Sequence, residues 1–174
     1  MDPKSQRPEN IPPPIEPVGI LTGVRIRPIV AGVIVDYVST AVLGTLYLIV
    51  FSIKEGVENG DFSEEAINKM LASPEHLLIL GIIGVLCTVL GGYISGRLAK
   101  DVEVKHGTLV GLVSLVLVAL QEVMLVESSP VPQWYEVVGY LVTVPAAALG
   151  GYLAQRQREI RVAHHPIEGD RLDH

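Results

Sequence analysis

Apolar residues gather along the chain into four long blocks, residues 28–53, 77–96, 107–126 and 134–155, separated by short polar segments. Each block is close to the roughly 20 residues a helix needs to cross about 30 Å of hydrocarbon. A soluble helical protein can hide one such segment, but most of its helices must turn a polar face to water. Those faces are missing. Leu109 to Leu120 has Ser114 as its only hydroxyl and no charge, and Leu77 to Leu90 offers only Cys87 and Thr88 as mildly polar groups. The pattern predicts an all-α polytopic membrane protein of four transmembrane helices.

The segments outside the blocks are read from their own chemistry. Residues 1–27 carry Pro3, Pro8, Pro12, Pro13, Pro14 and Pro17, which predicts an extended, solvated tail. No apolar run precedes Pro28, so the first span is expected to act as the insertion signal. In the first loop, Asp61 followed by Glu64 resembles a helix start and predicts a short helix over 62–71. Its apolar Phe62, Ala66, Ile67 and Met70 suit a membrane surface or the cap of a bundle. The polar tail over 156–174 is expected to fray beyond its first turns.

Charge then sets a direction. Lys4, Arg7, Arg25 and Arg27, then Arg97, Lys100 and Lys105, then Arg156, Arg158, Arg161 and Arg171 place eleven cations on the tails and middle loop. The first and third loops hold only Lys54 and Lys69. By the positive-inside rule both tails and the middle loop are expected in the cytoplasm, with the protein in the cytoplasmic membrane. Composition agrees with burial in lipid, at 49% apolar residues and a mean hydropathy of +0.42. The net charge of −6 is spread over loops and tails without a patch, which disfavours nucleic acid as a partner.

An internal similarity joins the second and fourth blocks. Leu90-Gly-Gly-Tyr-Ile-Ser-Gly-Arg97 ends one and Leu149-Gly-Gly-Tyr-Leu-Ala-Gln-Arg156 ends the other. In that register Gly84, Thr88 and Gly92 fall on Thr143, Ala147 and Gly151, a ladder of small residues at every fourth position. Gly92 with Gly96 and Gly107 with Gly111 are further small-xxx-small pairs, the spacing that lets helix backbones approach in lipid. A weaker match places Gly32 on Gly111 and predicts a tandem repeat of two helical hairpins. The Gly91-Gly92-Tyr93 motif with Arg97, followed by His106-Gly107, resembles a loose group of small prokaryotic membrane proteins of unknown function. That resemblance implies a four-helix bacterial or archaeal membrane protein and no activity.

Few residues offer chemistry. Asp36 lies about 12 Å along its helix from Pro28 at roughly 1.5 Å per residue, inside hydrocarbon. A charge there is costly, on the order of 3 kcal/mol by insertion scales, so Asp36 is a candidate proton or cation site. The plainer readings are a carboxyl bonded to a neighbouring helix or paired with Arg25 or Arg27. Glu122 is a second candidate, nearer a helix end, and Ser114 with Gln121 could form a polar seam. Tyr93 with Arg97, and Tyr152 with Arg156, each share a helix face at the boundary, where they anchor the helix or meet a lipid headgroup.

Pro145 is expected to kink the last helix. His76, His106, His164, His165 and His174 are scattered, and Cys87 is alone, so no metal or other cofactor is expected. No nucleophile and base stand at a recognisable spacing, and an enzyme is the least favoured class. The small-residue faces favour a non-catalytic accessory or structural subunit, as a homo-oligomer or within a larger membrane complex. The alternative is a small oligomeric transporter or channel using Asp36.

Overall fold

The computed structural model describes residues 19, 22–60, 63, 65, 68–69, 72–124 and 131–164. The N-terminal tail up to residue 18, most of the predicted 62–71 helix and the tail beyond His164 lie outside the described residues. Four α-helices account for nearly everything described: α1 Ile26–Asn59, α2 Pro74–Ala99, α3 Glu103–Met124 and α4 Gln133–His164. Each is long and apolar enough to cross a membrane, which is what a multi-pass membrane protein requires.

The helices run past the apolar blocks because helix ends are set by caps, whereas the blocks mark only where polar side chains begin. Gly60, in the left-handed region at φ 68°, ends α1 with its N–H donating to the Gly56 carbonyl at 2.9 Å. Pro74 follows the extended Ser73 and sits in the first turn of α2, where a missing N–H costs nothing. At its far end α4 continues to His164, about two turns into the polar 156–174 segment, where only the first turns are expected to hold.

The connection between α2 and α3 is only Lys100, Asp101 and Val102. Lys100 (φ 63°) and Val102 (φ 48°) both adopt left-handed backbone. For a β-branched residue this costs of order 1–3 kcal/mol, so neighbouring contacts must hold it. Here they are two bonds from one residue: the His106 backbone N–H and ring Nδ1 both reach the Val102 carbonyl, each at 3.2 Å.

Chain neighbours are antiparallel. In cross-section α2 and α3 pack against each other and against both flanking helices, while α1 and α4 occupy opposite corners. Packing is uneven along the bundle axis. Over its first three turns α1 buries Pro28, Gly32 and Asp36; it buries none over 37–54 and, beyond that, only Gly56 among the described residues. In α3 they stop at Ser114, and in α4 they begin only at Ala146. Leu77 of α2 is buried at the far end, but it is an exception there, and the bundle is tight at the end carrying Arg27, Arg97 and Arg156 and splayed at the other.

Glycine explains the tight end. A Cβ on Gly91 would stand 2.7 Å from the Gly32 carbonyl oxygen, and one on Gly107 would stand 2.5 Å from the Ala147 carbonyl oxygen. A Cβ on Gly92 would likewise meet the Ala147 carbonyl, and one on Gly151 would lie 2.6 Å from the Glu103 carbonyl oxygen. Gly96 faces Ala154 and Gly111 faces Val144 and Thr143, so backbone meets backbone between α1 and α2, α2 and α4, and α3 and α4. The predicted ladder is thus only partly an interface. Gly84 has nothing within 4 Å of where a Cβ would be, because it lies beyond the point where the helices part. Thr88 and Thr143, read as packing residues, have other partners described below.

Candidate functional site

Asp36 stands where the tight half ends. Its neighbours arrive because Gly91 opposite lets α1 and α2 approach: a Cβ there would lie 2.8 Å from the Asp36 Cβ. Thr88, one turn before Gly91 on α2, donates its hydroxyl to Oδ1 at 3.0 Å. Ser114 on α3 donates to Oδ2 at 2.8 Å. The carboxyl is thus held by one hydroxyl from each adjoining helix and is 5% exposed. Among the described residues it has no ion pair: Arg25 instead donates its backbone N–H to His106 Nε2 at 2.9 Å. Ser39, one turn further along α1, donates its hydroxyl to the Val35 carbonyl at 2.6 Å and does not reach the carboxyl.

Above the carboxyl the helices part around a cavity of about 930 Å³ that is open along part of its length. Asp36, Tyr37 and Thr88 line its inner end and Gln121, Trp134 and Tyr135 line it further out, with Leu, Ile and Val side chains between. All four helices contribute. Gly84 and Gly139 stand in its wall, where open space replaces the expected close contact. Thr143 lines it too, its hydroxyl turned to the Gly139 carbonyl at 2.7 Å. Among the described residues the buried Tyr37 hydroxyl has no hydrogen-bond partner, an unusual condition for a phenol shielded from water.

The other candidates occupy separate places. Glu122 is exposed and accepts a bond from the Tyr140 hydroxyl. It lines a second cavity of about 320 Å³ between α3 and α4. Gln121 reaches the large cavity, whereas Ser114 is committed to Asp36, so the two do not form one seam. Tyr93 donates to Gln157 on α4, while Arg97, Tyr152 and Arg156 are exposed at the tight end.

Ser95, Glu103 and His106 are buried polar residues that the sequence did not mark as site candidates, His106 having entered only through its motif with Gly107. His106 is fully buried. Its Nε2 accepts from Arg25 and its Nδ1 faces a carbonyl, so the proton belongs on Nδ1 and both ring nitrogens are used. Glu103, 3% exposed in the first turn of α3, pairs with Arg158 on α4, Nε to Oε1 at 3.0 Å. Arg158 also lies 3.6 Å from Asp101. Because the Arg158 side chain is about half exposed, solvent screens part of this attraction. Arg158→Ala is expected to lower stability by about 1–3 kcal/mol, mainly by leaving Glu103 buried and uncompensated. Thermal unfolding in detergent would measure this, and adding Glu103→Gln should restore most of the loss.

These features define a class, a helical membrane protein with a carboxyl at the foot of an intramembrane cavity. Beyond that class, no family model matches the chain, and neither a curated protein nor a solved structure matches it.

Proposed function

We propose that the chain is a non-catalytic protein of the cytoplasmic membrane that binds a small solute between its helices and carries it as part of a small oligomer. The observation behind this is the cavity of about 930 Å³ ending on Asp36. It falls within the 300–1,000 Å³ range typical of small-molecule sites, with apolar walls and a few convergent polar groups. The two hydroxyl bonds tie Asp36 to α2 and α3, but at about 0.6 kcal/mol each they offset only part of the roughly 3 kcal/mol by which insertion scales penalise an ionisable group there.

In this reading the tight, arginine-bearing end faces the cytoplasm and the splayed end faces outward, following the distribution of Lys and Arg. The two hairpins are tandem copies. Only the first copy carries the carboxyl, since the position matching Asp36 in the register of Gly32 on Gly111 is Leu115. In proteoliposomes, wild-type protein is expected to dissipate an imposed pH gradient faster than empty vesicles, and Asp36→Asn to fall to the empty-vesicle rate. Equal rates for wild type and Asp36→Asn would remove the carboxyl from the mechanism.

A second reading, the accessory subunit, has its own support. Val38, Val42, Leu46, Ile49 and Ile53 form one exposed apolar stripe on α1, a surface onto which a helix of a larger complex could pack. The small-residue faces no longer argue for it, since most are consumed inside the bundle. Protein that purifies from its native membrane strictly as a monomer, with nothing attached, would sink this reading.

A further inference from the structure

We infer that the solute taken by this cavity is a lipophilic organic cation. The inference rests on the solute-binding reading and adds the chemical class. Three observations carry it. First, Asp36 has hydroxyl donors at both oxygens but no cationic partner among the described residues. A carboxylate has about four lone-pair sites, so two donors leave capacity for more. Hydroxyl bonds ease the burial of a carboxylate, but they do not cancel its charge, and in hydrocarbon a charge is most readily tolerated beside an opposite one.

Second, Tyr37 brings an aromatic ring to the inner end beside Asp36, and Trp134 and Tyr135 bring two more to the outer end; aromatic faces attract cations, most strongly where water is excluded. The buried Tyr37 hydroxyl also lacks a partner, although its residue lines the cavity immediately beside Asp36. Third, the remaining wall is aliphatic, including Leu77, Ile83 and Val142, so the ligand must be apolar around its charge. A hydrated metal ion would find too few oxygen ligands, and among the described residues no group of three or more His, Cys, Asp or Glu side chains could hold one. An organic anion would meet Asp36 with like charge.

Direct binding to the full-length protein in detergent tests this. The probes are radiolabelled tetraphenylphosphonium and tetraphenylborate, which share size and shape but carry opposite charge. Tetraphenylphosphonium is expected to bind and tetraphenylborate not to. Asp36→Asn, which keeps a group that can bond Thr88 and Ser114, should weaken tetraphenylphosphonium binding at least about tenfold, the effect of roughly 1.4 kcal/mol.

Gly84→Phe fills the cavity from a position where a side chain meets open space and should abolish binding without unfolding the protein. Equal binding of the two probes, or unchanged affinity in Asp36→Asn, would overturn the inference. A neutral hydrophobic diazirine photolabel separates that failure from a failure of the site itself. Labelling of Leu77 or Val142, which line the cavity without being exposed outside it, that disappears in Gly84→Phe would keep the solute-binding reading while the cation class falls. No such labelling and no tetraphenylphosphonium binding would end both.

Discussion

Replacing Gly92 by alanine is expected to loosen the whole bundle, whereas the same change at Gly84, two turns away on the same helix, should be tolerated. The added methyl at Gly92 would enter the Ala147 backbone on α4, which cannot rotate aside as a side chain can. Helix α2 must then move away from α4, and the neighbouring contacts of Gly96 with Ala154 and of Gly150 with the α2 backbone go with it. Overpacking of this kind costs about 1–3 kcal/mol, and here one displacement is shared by several contacts, which favours the upper end. At Gly84 the methyl meets nothing within 4 Å, so the intrinsic helix preference for alanine, about 1 kcal/mol, should show as unchanged or raised stability. Thermal unfolding of both variants in one detergent provides the comparison. Equal losses at the two positions would mean that close packing does not hold α2 to α4.

His106→Ala is expected to be comparably damaging for a different reason. The imidazole accepts the Arg25 N–H at the start of α1 and supports the strained Val102 carbonyl, while filling a site with no solvent exposure. Removing it creates a void and leaves the Arg25 N–H without its acceptor. Large-to-small changes in cores cost about 2–5 kcal/mol, and a lost buried bond adds to the burden. The damage should be local. Hydrogen exchange is expected to rise first at the beginning of α1 and in the Lys100–Val102 turn, with α4 protected longer. Uniform loss of protection, or none, would contradict the role given to the ring.

The four spans are legible in the sequence because a bilayer demands uninterrupted apolar segments, and no other solvent does. The helix ends are less so. Glu103 and His106 stand in a stretch rich in charge, which reads as a loop of ten residues from Arg97 to His106, yet the connection is only Lys100 to Val102. Local polarity marks the water boundary and says little about where the backbone leaves its helix.

The candidate site divides in the same way. Asp36 is conspicuous because any carboxyl within an apolar block is. Its partners are not, since Thr88 and Ser114 lie 52 and 78 residues away and become neighbours only through helix packing. The glycine ladder likewise shows that close approach is possible, but the spacing is the same at Gly84 and at Gly92. What separates them is the divergence of the helices beyond Asp36, a property of side-chain bulk summed across all four. Arg25 and Arg27 illustrate the converse, being near enough in sequence to suggest a pair with Asp36 and absent from its surroundings.

The partners of Asp36 also constrain biogenesis. Helix α1 leaves the ribosome before α2 and α3, so its carboxyl enters the insertion machinery before either hydroxyl that receives it has been synthesised. During that interval the first helix must remain beside water, translocon or headgroups instead of settling fully into lipid. Final seating of α1 is therefore expected to wait for Ser114, and a nascent chain arrested before α3 emerges should hold its first helix with the carboxyl still unaccommodated.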